Sequence, residues 1–188
     1  MKLIVALGNI GKEYKETRHN FGFLLFDAIV SNYQFSLSAT KNKSEIFTGK
    51  IGDEKVVAIK PQTFMNLSGQ AVISMMSFYK IAIEDILVLH DDLDLELGKI
   101  KVKIGGGNAG HNGLKSIDAN IGKDYMRLRL GIGRPQNVEF ETSDYVLGKF
   151  TKDEKVIVEK VSDKCSDLIK KLLDGNMAGF MNDFSISK

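Results

Sequence analysis

Short apolar runs alternate along this chain with segments in which apolar residues recur every three or four positions. Residues 3–7 and 86–89 are uninterrupted runs of Leu, Ile, Val and Ala, which is typical of strands buried on both faces of a sheet. Residues 21–29 and 68–79 are predicted to be helices. A sheet buried on both faces must be covered by helices on both sides, so this alternation predicts an α/β protein.

Other segments alternate apolar and polar residues, which predicts strands with one exposed face. Residues 99–104 place three lysines on one face and Ile, Val and Ile on the other, and residues 126–130 alternate Met and Leu with Arg. Residues 46–51 and 55–59 predict a hairpin. Because such strands occur mostly in antiparallel pairs, we predict a mixed, twisted sheet flanked by helices on both faces.

The length of 188 residues suits one domain with a substantial core. The chain has two prolines, and no linker, repeat or low-complexity segment divides it, so residues 1–188 are predicted to form a single domain. A long helix is predicted over residues 152–174, because Thr151 and Glu154 match a capping box and a glycine follows as a stop. The tail, residues 176–188, is predicted to add one further turn.

Composition limits the classes of function. The net charge is +2, from 26 Lys plus Arg against 24 Asp plus Glu, so a polyanionic partner would have to bind to a local patch. No apolar stretch reaches the ~18 residues that a membrane span needs. The single Cys165 lies on a predicted helical face, where a buried, inert thiol is expected. These features predict a cytoplasmic protein without a membrane partner.

Polar residues cluster where the predicted strands end. In open α/β sheets, ligands bind beyond the carboxyl ends of the strands. Four polar clusters occupy such positions, namely residues 9–19, 64–66, 90–92 and 105–112. The first contains His19, just before a predicted helix, and the third contains Asp91, at the end of a buried strand. The sequence therefore predicts one site at which these clusters converge.

His19 and Asp91 have the chemistry of a general base and its partner. A carboxylate bonded to one ring nitrogen would fix the tautomer and stabilise the imidazolium that forms when the other nitrogen takes a proton. The start of the following helix would act in the opposite sense, because its positive end disfavours a charged ring. No G-x-S-x-G motif is present, so we predict water as the nucleophile. The alternatives are a surface histidine at a helix start and a carboxylate that caps a turn.

Two other kinds of site can be considered for these residues. A metal centre could use His19, Asp91 and the neighbouring His90 and Asp92, but adjacent strand residues face opposite sides and no H-x-x-x-H or C-x-x-C spacing exists. His90 and Asp92 are therefore predicted to be structural. The glycine loop, residues 105–110, spells G-x-G-x-x-G, but no acidic residue ends the next strand. We predict neither a metal nor a dinucleotide, and expect the glycines to let the backbone approach a ligand.

A cationic face is the second candidate binding surface. Lys99, Lys101 and Lys103 alternate with apolar residues and could contact phosphates. The residues that could extend this surface are Arg127, Arg129, Arg134 and Lys115. The alternative is a solvated face that protects the edge of the sheet, a role that lysines often have.

The polar clusters also match a family. Seven blocks follow one another in the order G-N-x-G, T-R-H-N, F-M-N-L-S-G, H-D-D-L-D, K-x-G-G-G, G-H-N-G-L-K and R-L-R-L-G-I-G-R-P. Over nearly the whole chain they resemble bacterial-type peptidyl-tRNA hydrolases. The resemblance implies hydrolysis of the ester between an N-blocked peptide and the 3′-terminal ribose of tRNA. It also implies a cytoplasmic monomer of mixed-sheet α/β fold that uses no metal or cofactor and has peptidyl-tRNA as its partner.

The resemblance implies roles for particular residues. His19 would be the general base, Asp91 its orienting partner, and Asn9 would help to distinguish a blocked amino group from a free one. The residues implied to contact the peptidyl-adenosine end of tRNA are Tyr14, Phe64, Asn66 and Asn112, with Met65 and Leu93 as an apolar wall. The residues implied to contact phosphates are Lys101, Lys103 and Arg129. The segment around residues 137–150 would be a lid.

Ile10 departs from the pattern of the family, which usually has proline at this position. A proline ring fixes the backbone angle φ, so isoleucine is expected to leave the loop after Asn9 freer. The alternative function from a different class is a tRNA- or ribosome-binding module without catalysis, for which the cationic face alone would suffice.

Overall fold

We describe a computed structural model of the chain, which covers residues 1–136, 139 and 141–186. Within this part of the chain, the strands are β1 (Lys2–Ala6), β2 (Ser36–Lys41), β3 (Ser44–Ile51), β4 (Glu54–Pro61), β5 (Ile86–Asp92), β6 (Ile100–Ile104) and β7 (Met126–Gly131). The helices are α1 (Phe21–Asn32), α2 (Ser68–Tyr79), α3 (Asn112–Ile121), α4 (Thr142–Leu147), α5 (Lys152–Leu173) and α6 (Met177–Ile186). Of the predicted lid, residues 137, 138 and 140 lie outside the described residues.

The strands form one mixed sheet in the order β2-β3-β4-β1-β5-β7-β6. The central strands β4, β1, β5 and β7 run parallel to one another. The outer pairs β2/β3, β3/β4 and β6/β7 are antiparallel. The predicted mixed sheet is therefore confirmed, and the carboxyl ends of β1, β5 and β7 meet at one edge.

Helices cover both faces of the sheet, as the apolar runs predicted. On one face, α1, α5 and α6 pack on the sheet through buried residues such as Phe21, Ile169 and Phe180. On the other face, α2 and α3 contribute Val72 and Ile117 to a second core. The continuous apolar strands are explained by this arrangement, because their alternate side chains enter different cores.

Three elements differ from the prediction. One is α4, a helix of 6 residues within the segment that was predicted only as a lid. Strand β2 was not predicted, and its side chains are mostly exposed, since it is an edge strand that pairs only with β3. The tail forms α6, a helix of 10 residues rather than one turn, and Phe180 of that helix is fully buried. The other predicted helices are confirmed, including the reciprocal capping box of Thr151 and Glu154 at the start of α5.

One glycine brings the start of α1 close to the ends of two strands. A Cβ atom at Gly22 would lie 2.5 Å from the carbonyl oxygen of Leu89 and 2.6 Å from that of Leu7. A side chain at this position would therefore push α1 away from β1 and β5. The close approach places the turn before α1, which carries His19, at the carboxyl end of β5.

Candidate active site

His19 and Asp91 are in contact at the carboxyl edge of the sheet. His19 lies in the 3-10 turn Arg18–Asn20, directly before α1, and Asp91 is the sixth residue of β5. The Nδ1 atom of His19 is 3.0 Å from both carboxylate oxygens of Asp91. Both residues are buried. The hydrogen bond expected from the sequence is therefore present, and it fixes the plane of the His19 ring.

A second imidazole, which we did not predict, contacts the same carboxylate. His111 is the N-cap of α3, and its Nδ1 accepts hydrogen bonds from the backbone N–H groups of Gly113 and Leu114. Its Nε2 lies 2.9 Å from Oδ1 of Asp91. Because Nδ1 is an acceptor, a neutral His111 carries its proton on Nε2 and donates to Asp91. The sequence G-H-N-G places this histidine at the start of a predicted helix. That pattern alone does not show that the side chain reaches Asp91.

These contacts leave one imidazole nitrogen available for chemistry. Asp91 accepts N–H groups from His19 and His111, so the lone pair of His19 is on Nε2. His19 lines a cavity of about 230 Å³. The cavity is bounded by residues from β5, the glycine loop, the start of α3 and α4, namely His90, Asp91, Asp92, Leu93, Asp94, Asn108, Ala109, Gly110, His111, Asn112, Thr142, Ser143 and Val146. A buried base beside a cavity is suited to remove a proton from a bound water.

Burial and the charge of Asp91 act in opposite directions on the pKa of His19. Burial lowers the pKa of His19, but the charge of Asp91 and its hydrogen bond outweigh burial, so the pKa is raised above the ordinary 6.5. Burial would raise the pKa of Asp91, but His19 and His111 hold this pKa well below its usual range. The carboxylate therefore prevails over burial at His19, and Asp91 stays ionised.

His19, Asp91 and His111 also have the composition of a metal site. Their potential ligand atoms all lie within 4.8 Å of one another. The hydrogen bonds around His111, however, place a proton on the nitrogen that faces Asp91, so this nitrogen has no lone pair for a metal. The donor set therefore favours a hydrogen-bonded triad over metal coordination.

Asn9 is held by three hydrogen bonds. Its backbone N–H donates to Oδ1 of Asn20 at 2.8 Å, and Nδ2 of Asn20 donates to its carbonyl oxygen at 2.9 Å. Its own Oδ1 accepts from the backbone N–H of Met65 at 3.1 Å. Because that partner is a donor, the amide is oriented with Oδ1 toward Met65 and Nδ2 on the other side. Asn20 and the backbone of Met65 thus hold Asn9 in place, although isoleucine follows it.

A family model described as peptidyl-tRNA hydrolase matches residues 3–188 of this chain. The chain belongs to the peptidyl-tRNA hydrolase family. It is 50% identical over 181 residues to the peptidyl-tRNA hydrolase of Rickettsia bellii (strain RML369-C), covering 96% of this chain and 97% of that protein. It is 48% identical over 185 residues to that of Bartonella henselae, covering 98% and 95%. The crystal structure of peptidyl-tRNA hydrolase from Acinetobacter baumannii superposes with a TM-score of 0.92 at 40% identity, covering 100% of this chain and 96% of that one.

The other residues that the resemblance to peptidyl-tRNA hydrolases singled out are spread along the same edge. Asn112 is exposed at the first position of α3 and lines the cavity beside His19. Asn9 lines a second cavity of about 380 Å³ together with Asn20. Tyr14 is half-buried, and Phe64 and Asn66 are exposed just before α2. Those last three line neither cavity. Of the predicted site residues, the structure thus brings His19, Asp91, Asn112 and Leu93 to one cavity.

His90 and Asp92 have structural contacts, as predicted. His90 is buried and its Nδ1–H donates to the carbonyl oxygen of Asp91 at 2.7 Å. Burial, followed by the neighbouring His111, lowers the pKa of His90 to about 3, so it stays neutral at physiological pH. One carboxylate oxygen of Asp92 accepts from the backbone N–H of Asp94, and the other is paired with Arg129 at 2.7 Å. The Nε2 atom of His90 is buried without a hydrogen-bond partner among the described residues, and the low pKa makes this ring a much weaker base than His19. Both oxygens of Asp92 are already hydrogen-bonded.

The prediction that Arg127 extends the cationic face is wrong. Arg127 is fully buried, and its guanidinium donates to Asp118 at 2.9 Å and to the carbonyl oxygens of Gly106 and Gly107. The alternating arginines of this strand gave no indication in the sequence that Asp118 of α3 pairs with Arg127. Arg127 therefore fixes the glycine loop that forms one wall of the cavity.

The cationic face lies on the edge strand β6. Lys101 pairs with Arg129 across the ladder, and Lys103 pairs with Arg127, so all four side chains project on the α3 side of the sheet. Asp92 and Asp118 neutralise the two arginines. Lys101 is exposed, and Lys103 makes a long hydrogen bond of 3.4 Å to the carbonyl oxygen of Gly107. Lys99 is exposed as well, so the three lysines, which pair with no carboxylate among the described residues, are the cations of this face that remain for a polyanion.

The glycine loop does not belong to a dinucleotide-binding unit. The strands that flank it and α3 are β6 and β7, which are antiparallel neighbours, whereas the dinucleotide motif requires parallel strands joined by a crossover helix. Gly105, Gly106 and Gly110 adopt positive φ angles, so glycine is needed for this turn. The turn places His111 beside Asp91.

Among the described residues, no helix is both long and apolar enough to cross a membrane.

Proposed function

We propose that the chain hydrolyses the ester between a peptide and the 3′-terminal ribose of tRNA, with His19 as the general base. The observation that supports this role is the state of the His19 ring. Its Nδ1 is bonded to a buried carboxylate, and its Nε2 has no partner among the described residues and adjoins a cavity of about 230 Å³. Membership of the peptidyl-tRNA hydrolase family supports the substrate.

In the proposed reaction, water in the cavity attacks the carbonyl carbon of the ester while Nε2 of His19 takes a proton from it. The charge of Asp91 stabilises the imidazolium that results. The tetrahedral intermediate then collapses, the bond from carbon to the ribose oxygen breaks, and the imidazolium returns the proton to that oxygen. The products are a peptide with a free carboxyl group and a tRNA with a free ribose hydroxyl. No covalent enzyme intermediate is needed.

Asn9 is proposed to select substrates whose amino group is blocked. Its Nδ2 is a donor that faces away from Met65, as its hydrogen bonds require. An N-acyl group offers this donor a carbonyl oxygen that can accept a hydrogen bond. A free α-ammonium has only N–H groups, which are donors themselves and cannot accept from Nδ2 of Asn9. Loss of discrimination between acetylated and free lysyl-tRNA in Asn9→Asp would support this role, and unchanged discrimination would exclude it.

The remaining contacts to tRNA are proposed from the family pattern. Asn112 lies at the rim of the cavity and would grip the peptidyl-adenosine end, with Tyr14, Phe64 and Asn66 farther along the same edge. Lys101 and Lys103 would contact phosphates, and Arg129 would border them through its pair with Asp92. The segment around residues 137–150 would close over the bound end, since Thr142, Ser143 and Val146 already form one wall of the cavity.

We further propose a metal-independent monomer that acts in the cytoplasm. The proton on Nε2 of His111 supports metal independence, because this nitrogen then has no lone pair for a metal. Full activity in excess chelator is expected, and loss of activity that zinc restores would contradict it. The substrate arises during translation, which supports a cytoplasmic location. Light scattering after gel filtration should give the monomer mass of 20.9 kDa.

The role of His19 is tested by replacing it and assaying a blocked substrate such as diacetyl-lysyl-tRNA. We expect His19→Ala to lower kcat by about 10²–10⁴-fold, the usual contribution of a general base. Ser185→Ala, an exposed change on α6, is the control and should leave turnover unchanged. Near-normal turnover in His19→Ala would exclude His19 as the base. Binding of the substrate without any cleavage by the wild-type protein would instead favour the tRNA-binding module.

A further inference from the structure

Arg18 precedes His19 and connects its turn to the start of α5. One guanidinium nitrogen, Nη2, lies 2.9 and 3.1 Å from the two carboxylate oxygens of Glu154. Only 12% of the Arg18 side chain is exposed. Glu154 is itself fixed, because it accepts from the backbone N–H of Thr151 at 2.7 Å in the capping box of α5. The charge of Arg18 is thus paired with a carboxylate that has little freedom to move.

The same guanidinium lies over one aromatic ring of α4 and one in the segment that joins α4 to α5. Its carbon Cζ lies 4.5 Å from the centre of the Tyr145 ring and 5.7 Å from that of Phe150. The hydroxyl of Tyr145 donates to the carbonyl oxygen of Ile132 at 2.7 Å, so this ring is bound on its other side to the chain that follows β7. Cation–π contacts of this kind add to ion pairs when the cation is removed from water.

Backbone hydrogen bonds connect the same two segments. The N–H of Arg18 donates to the carbonyl oxygen of Gly148 at 3.0 Å, and the N–H of Phe150 donates to that of Glu16 at 3.1 Å. Thr17 and Lys149 form an antiparallel bridge between them. The segment that leads into the turn of His19 therefore pairs with residues 148–150 as two antiparallel strands would. Residues of α4, just before this pair, form a wall of the cavity.

We propose that Arg18 is a positioning residue, which fixes the turn of His19 against the α4–α5 joint so that the imidazole stays aligned with Asp91. This proposal rests on the proposed function, since it assumes that His19 acts as the base. Arg18 does not line the cavity beside His19, so it acts through its neighbour rather than on the substrate.

The experiment compares three variants of the full chain. Arg18→Met removes the ion pair and retains an unbranched apolar side chain, and Arg18→Lys restores the charge without the planar fork. Lys155→Met is the matched control, because it removes the neighbouring ion pair to Glu16, which is exposed. We expect Arg18→Met to lower kcat about tenfold or more with KM within about twofold, because small misplacement of a reacting group costs rate rather than binding. Arg18→Lys should recover part of kcat, and Lys155→Met should match the wild type.

A second readout does not depend on activity. The proton on Nδ1 of His19, held by Asp91, should give a far-downfield signal in the proton NMR spectrum that Asp91→Asn abolishes. We expect Arg18→Met to broaden or remove this signal, and Lys155→Met to retain it. If Arg18→Met is too unstable to measure, Glu154→Gln removes the same charge pair from the other side and should show a smaller effect of the same sign.

The outcomes separate this proposal from the proposed function. Retention of both the NMR signal and kcat in Arg18→Met, whether or not KM rises, would overturn the positioning role. Loss of the signal with normal kcat would show that Arg18 positions His19 but that His19 is not the base. In that case the proposed function fails, and the positioning role stands.

Discussion

Asp91 accepts N–H groups from two imidazoles whose other nitrogens have different surroundings. Backbone N–H groups occupy Nδ1 of His111, whereas Nε2 of His19 adjoins a cavity. Only His19 can therefore exchange a proton with a bound water. His111 supplies a second hydrogen bond to the carboxylate, which keeps Asp91 ionised and oriented while the charge of His19 changes.

The pH profile of activity should report the contact between His19 and Asp91. A general base works in its neutral form, so kcat/KM should fall on the acid side below a pKa that lies above 6.5, since Asp91 raises the pKa of His19. In Asp91→Asn the charge is absent, so the pKa of His19 should fall and the acid limb should move to lower pH. The plateau should drop by about 10²–10⁴-fold. A lower plateau with an unmoved limb, measured on diacetyl-lysyl-tRNA, would contradict this account.

At the residue scale, the sequence allowed us to predict a contact where both residues lie near the ends of neighbouring strands. It did not allow us to predict contacts with residues that other elements supply. His19 and Asp91 could be paired because parallel strands share a carboxyl edge. His111 was missed because its alignment with Asp91 depends on the path of the glycine loop. Arg127 was assigned to the surface because the strand pattern contains no information about Asp118, which α3 places over it.

At the scale of elements, the close crossing of α2 and α3 determines where His111 lies. The backbone N–H of Gly69 in α2 donates to the hydroxyl of Ser116 in α3 at 2.9 Å. A Cβ atom at Gly69 would lie 2.1 Å from the carbonyl oxygen of Ser116. The two helices can therefore approach this closely only with glycine at this position.

We expect Gly69→Ala to lower the free energy of unfolding by about 1–3 kcal/mol, because the added methyl group must separate two packed helices. Gly107→Ala is the matched control, since a Cβ atom there would meet no atom within 4 Å. Urea unfolding of both variants measures the difference. Equal stability of Gly69→Ala and the wild type would show that the α2–α3 crossing relaxes without cost.

The elements most readily predicted were those whose own residues carry the signal. Helix α5 begins with a capping box and the buried strand β5 is an uninterrupted apolar run, so both were predicted from local sequence. Strand β2 has few apolar residues, because its backbone pairs with β3 while its side chains stay in solvent. The ten residues of α6 depend on a contact with the core that is distant in sequence, and the tail alone does not show it.

At the scale of the whole molecule, a net charge of +2 leaves any attraction to tRNA to local groups. Lys101 and Lys103 lie on the α3 side of the sheet, and the paired Arg129 and Asp92 connect this surface to the cavity. Phosphates of the acceptor end could therefore lie along β6 while the ester occupies the cavity.

Replacement of Lys101 or Lys103 by Ala should weaken binding of tRNA. It should also reduce the dependence of log Kd on log salt by about one unit for each phosphate that the protein no longer neutralises. The control is Lys170→Ala on α5, which is packed on the opposite face of the sheet and paired with Asp174. Fluorescence titrations at several salt concentrations measure the slopes. Slopes unchanged in both lysine variants would remove β6 from the tRNA-binding surface.

The attachment of the His19 turn to Glu154 has a consequence for synthesis of the protein. His19 comes early in the chain, Asp91 comes near the middle, and the residues that contact Arg18 come after residue 144. On the proposed role of Arg18, a growing chain that lacks α5 has His19 and Asp91 but cannot yet hold the turn of His19 in place. While still esterified to tRNA on the ribosome, such a chain resembles the molecules that the finished enzyme would cleave, so the late synthesis of α5 would delay activity until the chain is complete.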